Sequence, residues 1–140
     1  MDDLLKAIVT AYGSSAAAAV ALRAATPGGL WLNQAPQTSS GTYIILVPLA
    51  MTVDHAMGAG AGHPAVSDGN IQFSVCDPVN MANAAAALAK LVALYEDNLL
   101  TLDSHTTLYA RRANDGVPMR DPDGEGCSIA IEFRYMLGNK

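Results

Sequence analysis

The chain has 140 residues, 51% hydrophobic but only 6% aromatic and 15% charged, with a net charge of -5. A single domain of this size buries roughly two-thirds of the surface its unfolded chain exposes, so it needs no metal or disulfide to fold. The acidic balance and the lack of any basic tract argue against tight nucleic-acid binding, and the uncharged span between Arg23 and Asp54 holds too many Pro, Gly and amide residues for a membrane helix.

The N-terminus opens with Asp2 and Asp3 and has no cationic stretch before an apolar one, so no signal peptide and a cytosolic site of synthesis are expected. Leu4, Leu5, Ile8, Tyr12, Ala16, Ala19 and Val20 recur at helical spacing, with the two aspartates where the helix dipole favours negative charge. Gly13, Ser14 and Ser15 leave two readings open. Either one helix runs from about 2 to 24 with a weak middle, or a second helix starts at a Ser cap.

"GTYIILVPLAMTV" is β-branched and apolar and reads as a strand, with Pro48 marking a sheet edge or a bulge. "HAMGAGAGHPAVSDG" has no periodicity and reads as a long mobile connection. In "NIQFSVC", Ile71, Phe73 and Val75 alternate with polar residues as in a half-buried strand. The next segment predicts a helix from about Pro78 to Asp97, capped by Asp77, with Met81, Ala84, Ala85, Leu88, Leu91, Val92 and Tyr95 facing the core and Ala87 facing away. On this reading Leu88→Asp should unfold the domain.

"TTLYARR" and "CSIAIEFRYML" predict two further strands, joined by the turn-rich "ANDGVPMRDPDGEG" as a hairpin with a long tip. The expected fold is therefore α+β: a four-stranded, mainly antiparallel sheet with helices on one face, in the order α-β-β-α-β-β, as a single domain over 1–140. Cys76 and Cys127 fall on opposite strand faces, so a disulfide is not expected.

Residues with catalytic or ligand chemistry do not form a specific motif. Asp54, His55 and His63 could supply a metal set, but at no recognised ligand spacing. Asp103, Ser104 and His105 have the residue types of a nucleophile triad, yet neighbours in sequence mostly point apart. "MGAGAGHP" precedes a strand instead of opening a helix, which is wrong for a phosphate loop. Asp115, Asp121, Asp123 and Glu125 lack the spacing of a calcium loop and carry Arg120 among them. No catalytic residue, cofactor or metal is expected.

In the order of its N-terminal helix, "LWLNQAP" leading into "YIILVPL", "IQFSVCDP" entering an Ala-rich helix, and a terminal hairpin ending "IEFRYML", nearly the whole chain resembles tail terminator (tail completion) proteins of long-tailed bacteriophages and the related minor tail and neck proteins. The resemblance implies a non-enzymatic virion subunit. Such a subunit forms a ring, commonly a hexamer, that caps the tail tube, stops its growth and offers the surface for joining the head. Its partners would be copies of itself, the tail tube protein and a head-completion or neck protein, with DNA passing through unbound and no membrane involved. A head-closure or neck role remains open within the class. A small ligand-binding or enzymatic α+β domain using His55, His63 or His105 remains open outside it.

The last strand supplies candidate contacts. Ile129, Ile131, Phe133, Tyr135 and Leu137 form a core face, so Glu132, Arg134 and Met136 face water or another chain. A ring needs one surface of a subunit to meet a different surface of its neighbour, and Arg and Met suit such contacts. Arg111 and Arg112 join the candidates, although only one of two adjacent residues can share the Glu132 side.

Overall fold

The computed structural model describes residues 1–35, 41–55, 65–120 and 126–139. These form α1 (Asp2–Tyr12), α2 (Ala17–Ala25), β1 (Leu30–Leu32), β2 (Tyr43–His55), β3 (Ala65–Asp77), α3 (Met81–Tyr95), β4 (His105–Arg112), β5 (Val117–Arg120) and β6 (Cys127–Asn139). The fold is α+β, with three helices and a mixed sheet of six strands instead of the four expected. The strand order is β1-β2-β3-β6-β4, and β5 also pairs with β6. β1 runs parallel to β2, and every other pairing is antiparallel.

The N-terminal segment is two helices, bent by 85° at their break. No serine side chain caps α2. Arg23 instead reaches back from α2 to the carbonyls of Tyr12 and Ser14, satisfying acceptors that the end of α1 leaves open. Among the described residues no single helix is long and apolar enough to cross a membrane.

β2 is irregular at Pro48, where its register with β3 shifts. This is the bulge that a residue without an N–H favours. β3 begins earlier than expected, because Val66–Gly69 pair on both sides, with β2 and with β6. Backbone pairing between two long neighbours outweighs the weak strand preference of Ser67, Asp68 and Gly69. Gly69 also admits α1, since a Cβ there would stand 2.9 Å from Leu4 Cδ2.

α3 starts at Met81, not Pro78. Asp77 remains in β3 and accepts the N–H groups of Val79 and Asn80, which turns the chain, and Asn80 then caps the helix by accepting from Ala82 N at 2.8 Å. The two capping side chains act in series, which moves the helix start by about one turn. The helix is also rotated from the expected phase. Ala84, Ala87, Leu91, Leu94 and Tyr95 are buried, Leu88 is half-buried and Ala85 is exposed. With alanine on almost every side, apolar spacing does not fix the phase, and α2 packs along a second flank. Leu91, and not Leu88, is the buried anchor.

The segment read as a hairpin tip contains β5, entered through Gly116 at φ 97°. A Cβ there would sit 2.9 Å from Ile129 Cγ2, so both the backbone angle and the space select glycine. The whole odd-numbered face of β6 from Ile129 to Leu137 is buried, as the alternation predicts. Phe73 packs against Tyr95 at 5.0 Å and against Phe133 at 5.5 Å between ring centres, joining β3, α3 and β6 in one aromatic cluster.

Candidate assembly interface

The helices cover one face of the sheet and leave the other open. Register defines rows across the open face: Tyr43, Cys76, Ser128 and Met119, then Ile45, Ser74, Ala130 and Val117. Further along, Gln72 faces Glu132, Arg134 faces Arg111, and Met136 lies between Asp68 and Tyr109. Arg111 therefore shares the Glu132 side, whereas Arg112 lies opposite Phe133 and points to the other face.

Each of the candidate arginines has a carboxylate partner in its own chain. Arg134 donates to Asp68 at 2.9 Å, Arg111 to Asp97 at 3.0 Å, and Arg112 lies 2.8 Å from Glu96. Arg111 also stands 5.9 Å from the centre of the Tyr109 ring. Pairs this exposed contribute little to stability, but they leave these arginines already matched before any neighbour arrives. Among the described residues Glu132 makes no ion pair, and both it and Met136 are half-buried on the open face. One oxygen of Asp68 is buried without a hydrogen-bond partner among the described residues.

Apart from Val79 and Leu99 in the connections, several exposed large apolar side chains lie at the sheet edges. Trp31, Leu32 and Leu49 mark the β1/β2 edge, and Tyr109, Val117 and Met119 mark the β4/β5 edge. The Trp31 indole N–H donates to Gly28 O at 2.7 Å. Sequence reasoning missed Trp31, Leu32, Val117 and Met119 because β1 and β5 are too short to show alternation. The signal present was the clustering of large apolar residues in "LWL" and "VPM" between turn residues.

The chemical candidates do not assemble into a catalytic site. Asp103 pairs with Lys6 at 2.7 Å, away from His105. Asp3 stands in its place: Ser104 Oγ donates to Asp3 at 2.8 Å and lies 2.7 Å from His105 Nδ1. The serine proton thus points at a carboxylate and not at the imidazole, which is the wrong order for activating a nucleophile. Asp3 also accepts the N–H groups of Ser104 and Asp103, and these bonds hold its carboxyl well below the usual carboxylate range. The cluster is a clasp between α1 and the entry to β4. His105 also borders a cleft of about 250 Å³ with Leu99, Thr101 and Thr107, its Nδ1 being engaged by Ser104.

A cleft of about 320 Å³ between α2, α3 and the start of β2 contains Asp77. Burial opposes ionisation of this carboxyl, but hydrogen bonds from the Thr42 hydroxyl and from the Val79 and Asn80 N–H groups outweigh it and lower its pKa. Its acceptor sites are thus used by its own chain. Among the described residues no three metal-ligating side chains gather. His63, Asp121, Asp123, Glu125 and the Gly-rich loop over 56–64 lie outside the described residues, and so do the side chains of Asp54 and His55. Cys76 lies half-buried on the open face and Cys127 is buried, and neither is in a disulfide.

No family model matches the chain, and no curated protein matches it in sequence. Solved structures do share its fold. A chain from the virion of a native gene transfer agent particle superposes with a TM-score of 0.81 at 18% identity, over 98% of this chain and 96% of that one. A second solved chain superposes with a TM-score of 0.57 at 17% identity, over 100% of this chain and 96% of that one. Along nearly its whole length, the chain has the same fold as a component of a gene transfer agent virion.

Proposed function

We propose that the protein is a structural subunit of a phage-like virion and acts as a tail terminator. In this reading several copies form a ring, hexameric in the resembling family, that caps the tail tube, ends its elongation and presents the surface to which a head-completion or neck protein binds. The protein works without cofactor and without catalysis. DNA passes through the ring unbound, in keeping with the net charge of -5.

The observation that carries this reading is the end-to-end fold likeness to a gene transfer agent virion component, which agrees with the resemblance in element order. The open sheet face supports it, since helices bury only one side and Glu132, Arg134 and Met136 lie on the other beside Arg111. Arg112, on the other face of the edge strand β4, is not part of that surface.

Light scattering coupled to gel filtration, over a range of concentrations, tests the assembly step. The expected result is a ring-sized species, or a mass that rises with concentration. A strict monomer that also fails to bind purified tail tubes contradicts the proposal.

A further inference from the structure

The two rows that cross the open face from Tyr43 to Met119 and from Ile45 to Val117 have large apolar side chains at both ends and small ones between. These are Cys76 and Ser128 in the first row, Ser74 and Ala130 in the second. Large walls on β2 and β5 beside a small floor on β3 and β6 make a trough that runs along the strands. Three inter-strand spacings, about 14 Å, separate its walls, which admits one helix of about 10 Å diameter. The next row, Val47, Gln72 and Glu132, brings the one charge that these three rows contain. Glu132 makes no ion pair among the described residues, and the arginines beside it on this face, Arg134 and Arg111, are held by Asp68 and Asp97.

α3 presents the matching surface. Ala82, Ala86, Ala89 and Ala93 on its outward side are all exposed, and Lys90, also exposed, is the only charged residue of the helix. Among the described residues no carboxylate pairs with Lys90. The geometry points to a head-to-tail contact between copies of this chain, in which the alanine side of α3 of one copy seats in the trough of the next and its Lys90 meets Glu132. This rests on the ring reading and names its surfaces.

The occupant is a second copy because charge and spacing both match. Each surface holds a single charge, unpaired among the described residues, and the two are opposite in sign. From Ala82 to Lys90 the helix rises about 12 Å, and from Ser128 to Glu132 the strand rises about 13 Å. Alanines therefore lie over the small floor at the same setting in which the two charges meet. The ion pair fixes register, and the walls supply the apolar burial. α3 lies on the helix-covered side of the sheet and the trough on the other, so the contact is heterologous and repeats from copy to copy.

A charge exchange makes the test, read by sedimentation, with thermal melting to check that each variant folds like the wild type. Lys90→Glu and Glu132→Lys should each raise the concentration at which oligomers appear by at least about tenfold, because like charges then meet. The double variant should return to wild-type assembly, since the same pair forms with its signs exchanged. Ala89→Gln adds bulk without charge at an exposed position and should weaken assembly by itself, so the test stands even where Glu132→Lys does not fold. A double variant no better than either single one, or Lys90→Glu and Ala89→Gln that assemble like the wild type, overturns the proposal and leaves the ring reading intact. Glu132→Lys that self-assembles normally but loses binding to purified tail tubes assigns the trough to the tube protein and also overturns it. A wild-type protein that never oligomerises overturns both, whereas oligomers that ignore tail tubes remove the terminator reading and leave this contact standing.

Discussion

Replacing Tyr135 by Phe should stabilise the subunit, which is unusual for a change in the centre of a core. The side chain is fully buried, its ring stacks on Phe133 with centroids 6.4 Å apart, and among the described residues its hydroxyl has no hydrogen-bond partner. Burial pushes its pKa far up, as expected for a phenol without compensating polar contacts. An unpaired buried hydroxyl costs ~1 to 3 kcal/mol. Tyr135→Phe removes that cost and leaves a gap of one atom, for a net gain of ~1 kcal/mol and a rise in Tm of about 3 °C.

Tyr95 provides the control. It is equally buried and 6.4 Å from Phe133, but its hydroxyl donates to Ile8 O at 2.9 Å. Tyr95→Phe loses that bond and should destabilise by ~1 kcal/mol. Thermal and urea denaturation of both variants, at one protein concentration, would read the opposite signs. If Tyr135→Phe lowered stability as much as Tyr95→Phe, the assignment of Tyr135 as unpartnered would be wrong.

Leu91→Ala should cost ~2 to 5 kcal/mol in urea unfolding and Leu88→Ala distinctly less, since Leu91 is fully buried and Leu88 is not; equal losses would refute the helix phase. Gly116→Ala should destabilise by ~1 to 3 kcal/mol, because φ is 97° and the new Cβ meets Ile129, and an unchanged melting temperature would show that the β4–β5 turn is built differently. Asp3→Asn should weaken the clasp at neutral pH. Because the folded pKa of Asp3 is depressed, its contribution is complete above the unfolded carboxylate value near 3.8 and fades as pH falls below it. Amide exchange at Asp103 and Ser104 should therefore differ between wild type and variant at pH 7 and converge in acid, and a difference that persisted in acid would assign the clasp to neutral contacts.

What the sequence revealed depended on how much of each element's fate is decided locally. β6 was legible to the residue, because Ile129, Ile131, Phe133, Tyr135 and Leu137 alternate with residues that differ from them in polarity. α3 was legible as a helix but not in phase, because its Ala-rich run makes several faces look alike. β1 and β5 were illegible for a different reason. Three- and four-residue strands have no period to read, and each exists because a longer neighbour offers it an edge. The start of β3 is of the same kind, since Ser67, Asp68 and Gly69 are strand residues only by virtue of β2 and β6 on either side.

For the candidate interface the sequence showed which face is open and that Arg111 and Arg112 lie on opposite faces, but not which of the two shares the Glu132 side. It did not show that Asp68, Asp97 and Glu96 already meet the arginines, because those partners are distant in sequence. A charge reversal such as Arg134→Glu would therefore not probe a neighbouring copy alone. That change would set a carboxylate beside Asp68 within the same subunit.

The most direct test of the central claim is tail-tube length measured by electron microscopy when tube protein polymerises with and without this chain. Capping predicts tubes that stop growing, with ring-shaped density at one end. Tubes that elongate unchanged and carry no added density at either end would contradict it.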